Sequence, residues 1–256
     1  MPTDSVQTRQ DGPFLRIAID RPEADNAIDT ALVRRLHDAL ELAECTSSCR
    51  AVVLEGRPGS FCTGLDFGAT AQANRSGPPA AGAGREYFSL LRRLTTIPRV
   101  VVAAVDGRAV AGGLGLVAAS DLVLSTNAGR FSLPEALWGL LPCCVLPFLI
   151  RRVGFQSAYS LTLSTSSMGV DDAVRHRLVD ERVDDLEPAL RRLAMRLRRV
   201  EPATVGDLKR YFHRLWEITP EVENVALEEL DRLMASPRVQ QNIEAFARDR
   251  RFPWES

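Results

Sequence analysis

At 256 residues, with 45% hydrophobic and 25% charged side chains, the chain has the size and composition of one globular domain, or of one domain with an appendage, which excludes a disordered or fibrous class. Its 32 basic and 33 acidic residues leave a formal net charge of -1, so no global field steers it toward nucleic acid or an anionic membrane. No apolar run approaches the roughly 20 residues needed to cross a bilayer, and the polar start MPTDSVQTRQDG lacks an apolar signal core, so a cytoplasmic protein is expected.

The first predicted strand is Phe14–Ile19, an alternating segment closed by the Arg21-Pro22 turn. Asp29 or Thr30 then caps an amphipathic helix with Leu32, Val33, Leu36, Leu40 and Leu42 on or near its buried face. The apolar run AVVLEG (51–56) predicts a strand buried on both faces. Residues 68–84, rich in Gly, Ala and Pro and without a period, predict a mobile loop suited to a lid. Helical spacing resumes through Tyr87, Leu90, Leu91 and Leu94, and Pro98 precedes a second apolar strand, 100–105. The stretch DGRAVAGGLGLVAASDLVLST (106–126) reads as strand, glycine turn, small-residue helix and strand, the rhythm of a layered α/β protein. From Ala189 onward the pattern is helical and charged, with apolar stripes through Leu190, Leu193, Leu197, Leu208, Phe212 and Leu215 and final helices at 221–235 and 237–250.

Four segments, FCTGLDF (61–67), AVAGGLGL (109–116), SDL (120–122) and FSLPE (131–135), resemble in order and spacing the crotonase superfamily of enoyl-CoA hydratases and isomerases, over roughly residues 10–200. The resemblance implies an α/β fold, the ββα spiral of crotonases, with a spiral core at 1–198 and a C-terminal helical region at 199–256. It also implies a homotrimer, or a hexamer of paired trimers.

Removing a proton alpha to a thioester puts negative charge on the carbonyl oxygen, which two convergent backbone N–H donors stabilise without reorganising. The resemblance assigns those donors to Leu65 and Gly112, with Gly113 helping the backbone to approach the ligand. Taken alone, each turn reads as a plain connection between a strand and a helix; the pair together carries the oxyanion reading. Glu135 falls where hydratases place one of two catalytic glutamates, so the resemblance makes it the base, tuned upward by burial. A surface or helix-capping glutamate after Pro134 is the plainer alternative. At the place of the other glutamate stands Gly115, which removes the two-carboxylate activation of water. One carboxylate still suffices for a syn elimination, taking the alpha proton and delivering it to the departing beta-hydroxyl.

FCTGLDF, GLLPCCVLPFLIRRVGFQ (139–156) and RRFPWE (250–255) together resemble the dehydratases of polyketide beta-branching cassettes, which convert 3-hydroxy-3-methylglutaryl-ACP to 3-methylglutaconyl-ACP. The alternatives are the decarboxylase of the same cassettes, a CoA-dependent hydratase or isomerase, and a silent acyl-ACP binding protein. The expected partner is an acyl carrier protein, and the substrate is phosphopantetheine- or CoA-linked with no further cofactor. In RPEADNA (21–27), Asp25 stands where many CoA-using relatives carry a basic residue, and its charge would repel CoA phosphates.

The remaining candidates keep two readings each. Asp66 is a substrate-binding acid or water holder, or it braces its own loop. Cys62, Cys143 and Cys144 are nucleophiles or packing groups, the last two lining the acyl pocket. Arg85 and Arg108 pair with the free carboxylate of a glutaryl substrate or are solvated, and Lys209 with Arg210 meets the acidic surface of a carrier protein or the pantetheine phosphate. His37, His176 and His213 lack metal-ligand spacing, so no metal is expected.

Overall fold

The computed structural model describes residues 5–76, 82–216 and 218–255. In chain order the elements are β1 (Val6–Asp11), β2 (Phe14–Ile19), α1 (Thr30–Cys45), β3 (Ala51–Glu55), β4 (Gly59–Cys62), α2 (Phe67–Ser76), α3 (Ala83–Thr96), β5 (Val100–Val105), β6 (Gly107–Val110), α4 (Gly112–Ala119), β7 (Leu122–Ser125) and β8 (Arg130–Ser132). They continue as α5 (Leu146–Val153), α6 (Phe155–Ser164), β9 (Met168–Gly169), α7 (Val170–Arg175), β10 (Glu181–Arg182), α8 (Leu186–Leu197), α9 (Pro202–Leu215), α10 (Pro220–Met234) and α11 (Pro237–Asp249).

Two sheets result. The larger runs β1-β2-β3-β5-β7-β10, parallel throughout except for the β1–β2 hairpin. The smaller runs β4-β6-β8-β9, with β4, β6 and β8 parallel and β9 antiparallel. Each of β3, β5 and β7 therefore passes into a strand of the smaller sheet before the chain turns helical, which is the expected ββα spiral of crotonases.

The double-sided burial expected of the apolar strands is present. Val52 and Leu54 of β3, with Val101, Ala103 and Val105 of β5, face the main core. The alternate residues Ala51, Val53, Val102 and Ala104 face a second cluster closed by Ala189, Leu190, Ala194 and Leu197 of α8. α1 starts as predicted: Asp29 Oδ1 accepts from the Leu32 amide at 2.7 Å. Leu42 is a correction, 45% exposed, because it lies off the stripe made by Leu32, Leu36, Ala39, Leu40 and Ala43.

Three further differences have physical causes. β1 was not predicted because its polar residues are exposed after Val6, and ladder bonds to β2 rather than an apolar face hold it. The loop expected at 68–84 is helical over Phe67–Ser76, residues 77–81 lie outside the described residues, and α3 already begins at Ala83. Asp66 explains the helix, since its Oδ1 accepts from the Ala69 amide at 2.9 Å and caps the first turn of α2. Finally, Leu208, Phe212 and Leu215 form the exposed side of α9 in the single chain, together with Tyr211 and Trp216. Its buried side is Val205, Gly206 and Lys209.

The helices α10 and α11 match their predicted spans to within a residue. Ala226, Leu227, Leu233, Val239 and Ile243 join the same buried cluster as the sheet, so the region after 199 shares the core of what precedes it. No helix among the described residues is long and apolar enough to cross a membrane.

Candidate active site

Three parallel strands bring three sequence motifs to one edge. Cys62 of β4 lies beside Ala109 of β6, and Val110 of β6 lies beside Ser132 of β8. The segments that leave these strands are Thr63-Gly64-Leu65, Ala111-Gly112 and Leu133-Pro134-Glu135, and parallel strands release them on the same side.

The first turn is fixed by a buried asparagine. Asn26, fully buried with φ 59°, receives the Arg21 amide on Oδ1 at 2.8 Å and donates from Nδ2 to the Ile19 and Ser60 carbonyls at 3.0 and 2.8 Å. Ile28 then pairs with the turn: its amide donates to the Gly64 carbonyl at 2.6 Å, and its carbonyl accepts from the Asp66 amide at 2.9 Å. In extended backbone successive residues point their polar groups to opposite sides, so the Leu65 N–H faces away from Ile28.

The second turn is strained. Ala111 has φ 51° and ψ -121°, a conformation L residues rarely adopt, and its amide donates to the Ser132 carbonyl at 3.0 Å. Gly112 follows as the first residue of α4, where the helix supplies no acceptor for its N–H. A β-carbon on Gly112 would lie 3.6 Å from the Gly64 Cα, so the two turns are neighbours. One on Gly113 would lie 2.1 Å from the Cys62 carbonyl oxygen, so position 113 requires glycine for backbone packing.

Glu135 opens a short 3-10 turn, Glu135–Trp138, after Pro134. Its Oε2 is shielded from solvent and has no hydrogen-bond partner among the described residues. Burial pushes its carboxyl group up from 4.5 to about 7, against a hydrogen bond from its own backbone amide. The predicted upward tuning is therefore present, and the exposed or capping alternative is not.

Sequence reasoning missed Tyr87. Its hydroxyl donates to the Gly112 carbonyl, and a β-carbon on Gly115 would lie 2.3 Å from its oxygen. Burial first, then Cys62, Cys144 and Glu135, hold its phenol well above its ordinary pKa. The only sequence signal for it was indirect, the missing side chain at 115, whose space some other group has to fill.

Several predicted roles meet other partners. Asp66 braces its loop: Oδ1 caps α2 and Oδ2 meets Arg21 at 3.2 Å, so each oxygen already holds a structural partner. Arg85 lies 3.5 Å from Glu223 of α10, and Arg108 pairs with Asp25, so each guanidinium already faces a carboxylate of the chain. The Asp25–Arg108 pair also removes the bare negative charge on which the expected repulsion of CoA rested. Lys209 is buried, 2.6 Å from Asp121 and 3.1 Å from the Leu94 carbonyl, while Arg210 pairs with Asp207, so Lys209 does not present a carrier-binding charge.

Cys143 and Cys144 are buried, and burial raises their thiols to about 11 and about 12. Cys62 is likewise raised to about 12, which favours packing over nucleophilic roles for all three. A cavity of about 250 Å³ lined by Ala136, Leu137, Gly139, Arg238, Asn242 and Pro253 adjoins the Glu135 turn but does not contain the two glycine turns. Among the described residues no group of three His, Cys, Asp or Glu side chains is arranged to hold a metal ion.

The family model described as enoyl-CoA hydratase/isomerase matches residues 10–256. The chain is 34% identical to the bacillaene synthase dehydratase PksH of Bacillus subtilis, over 98% of this chain and 96% of that protein. The crystal structure of Bacillus subtilis PksH superposes with a TM-score of 0.92 at 33% identity, covering 98% of this chain and 99% of the other. A carnitinyl-CoA dehydratase of Salmonella typhi is 26% identical over 99% of both chains. An enoyl-CoA hydratase/isomerase from Xanthobacter autotrophicus superposes with a TM-score of 0.87 at 26% identity, covering 96% and 94% of the two chains. The spiral fold, the paired glycine turns and these matches together mean that the chain belongs to the enoyl-CoA hydratase/isomerase family, as an enzyme of the hydro-lyase class.

Proposed function

We propose that this hydro-lyase dehydrates 3-hydroxy-3-methylglutaryl-ACP to 3-methylglutaconyl-ACP, with the Leu65 and Gly112 amides as the oxyanion hole and Glu135 as the base. The ionised carboxylate of Glu135 takes the proton from C2, and the C2–H electron pair moves toward the thioester carbonyl, whose oxygen gains negative charge between the two amides. That pair then returns to form the C2=C3 bond as the C3–O bond breaks. Glu135 gives the proton to the departing hydroxyl, so water leaves and the carboxylate is regenerated. No cofactor or metal is needed, because the thioester itself accepts the electron pair.

The observation that carries this reading is the solitary carboxyl group. Glu135 has a shielded oxygen without a partner among the described residues and a pKa near 7, and at Gly115, where the family resemblance would put a second glutamate, the Tyr87 phenol fills the side-chain direction. A group with a pKa near the working pH is effective both as base and as conjugate acid, which a one-carboxylate elimination requires. The likeness to a dehydratase of bacillaene synthase favours a carrier-bound polyketide intermediate as the substrate. The same proposal includes a homotrimer or hexamer in which the apolar side of α9 is covered.

Incubation of the purified protein with 3-hydroxy-3-methylglutaryl-ACP, followed by intact-mass measurement, tests the proposal. Loss of one water is expected; loss of carbon dioxide would assign a decarboxylase, and an unchanged mass would reject catalysis on this substrate. A second reading, a CoA thioester substrate, is favoured by the neutralisation of Asp25 by Arg108. Equal kcat/KM for CoA and ACP forms would support it.

A further inference from the structure

Tyr87 reaches from α3 to the first turn of α4 and donates its hydroxyl proton to the Gly112 carbonyl. The carbonyl of residue 112 and its amide flank the same Cα, so a bond to one restrains the other. Restraint is needed at this point. Gly112 has no β-carbon to limit its dihedrals, and it follows the strained Ala111 at φ 51°. An amide free to swing would lose the preorganisation on which oxyanion stabilisation depends.

The phenol also occupies a defined space. A β-carbon at position 115 would stand 2.3 Å from the Tyr87 oxygen, 3.0 Å from a Val145 methyl and 3.3 Å from a Leu91 methyl. The direction in which a side chain at 115 would leave α4 is therefore filled by the hydroxyl. Because burial holds the phenol in its neutral form, the group remains a hydrogen-bond donor across the working pH range.

We infer that Tyr87 is a positioning residue for the dehydration: its hydroxyl clamps the second oxyanion turn through the Gly112 carbonyl, and its oxygen takes the space beside Gly115, so that the site works with Glu135 alone. The inference rests on the proposed reaction for its rate effects, but not for its effect on the Gly112 amide.

The test is a double-mutant cycle of Tyr87→Phe and Gly115→Ala, read by kinetics and by hydrogen exchange at the Gly112 amide in the full-length protein. Tyr87→Phe keeps the ring and removes only the hydroxyl. It should lower kcat by about 10- to 100-fold, less than the roughly 10²–10³-fold cost of losing an oxyanion donor outright, because the Gly112 amide is loosened and not removed. KM should stay within about twofold, since ground-state binding is not the interaction removed. The rise of rate toward pH 7 should be retained, because Glu135 is untouched, and the melting temperature should fall by only about 2–4 °C, the effect of one lost hydrogen bond. Gly112 exchange should accelerate. Gly115→Ala should slow the native enzyme by displacing the hydroxyl, yet cost much less in the Tyr87→Phe background.

Native kcat with native Gly112 exchange in Tyr87→Phe would overturn the inference, as would additivity of the two substitutions. A rise in KM alone would do the same, since it would indicate a substrate contact rather than a clamp. If the wild-type protein releases no water from the carrier-bound hydroxy acid, the proposed reaction fails while Gly112 exchange still decides whether Tyr87 clamps the turn.

Discussion

The first turn of α4 and the end of β4 touch backbone to backbone: a β-carbon on Gly113 would stand 2.1 Å from the carbonyl oxygen of Cys62 and 2.7 Å from its carbonyl carbon. Main-chain atoms within a sheet cannot yield as a flexible side-chain end can. Gly113→Ala is therefore expected to lower stability by about 3 kcal/mol, the upper part of the range for overpacking. It should also reduce turnover by more than tenfold, because the shift falls next to the Gly112 amide. Urea denaturation and steady-state kinetics measure the two effects.

Glu135 gives a prediction in pH. Its carboxyl group has a pKa of about 7 in the folded chain against 4.5 as its ordinary value, so the folded state holds the proton more tightly than the unfolded one. Ionisation thus costs folding stability, a cost that is absent below about pH 4.5, grows between there and pH 7, and is constant above. Glu135→Gln carries no such cost. Its stability advantage over the wild type should open across that window and reach at most about 3.5 kcal/mol, at roughly 1.4 kcal/mol per pH unit.

The rate has the opposite dependence. Since the proposed base acts in its ionised form, wild-type kcat/KM should rise with unit slope up to about pH 7 and then level, and the Gln variant should be essentially inactive. Thermal melts and pH–rate profiles of the two proteins check both statements.

Asp66 separates bracing from acid catalysis. Asparagine is as good a helix cap as aspartate, so Asp66→Asn should keep α2 capped and leave kcat within about threefold of wild type. Asp66→Ala removes the cap and the contact with Arg21, and should cost about 1 kcal/mol. A loss of 10²-fold or more in the Asn variant, the scale of a missing general acid, would restore a catalytic role.

Lys209 and Asp121 form a buried pair, so Lys209→Met should destabilise by about 2 kcal/mol, somewhat less than a fully buried pair because Asp121 remains partly accessible. Affinity for the carrier protein, measured by calorimetry, should not change. Weakened carrier binding in a protein of native stability would contradict the buried placement.

The sequence made the layered architecture legible because strand burial and motif order are local patterns. AVVLEG and the run at 100–105 announce strands covered on both faces, and the two glycine segments occur where strands end. Glu135 was legible through the resemblance of FSLPE to the hydratases, and its upward shift was expected from the burial which that role implies. What escaped depends on distant partners. Whether Lys209 faces a carrier or Asp121 is decided by residues 88 positions apart, and Asp25 and Arg108 neutralise each other across 83. Tyr87 reads in sequence only as one apolar position of an amphipathic helix, because nothing local shows that its hydroxyl meets α4. Residues 68–76 read as loop because alanine and glycine obscured their period, although the Asp66 cap was present.

The account turns on one geometry, and a structure of Glu135→Gln bound to a carrier-linked 3-hydroxy-3-methylglutaryl thioester tests it most directly. The thioester oxygen should lie within hydrogen-bonding distance of both the Leu65 and Gly112 amides, about 2.7–3.2 Å, with the side chain at 135 against C2 and the beta-hydroxyl on the same face. A thioester oxygen bonded elsewhere, or a hydroxyl on the face opposite residue 135, would contradict it.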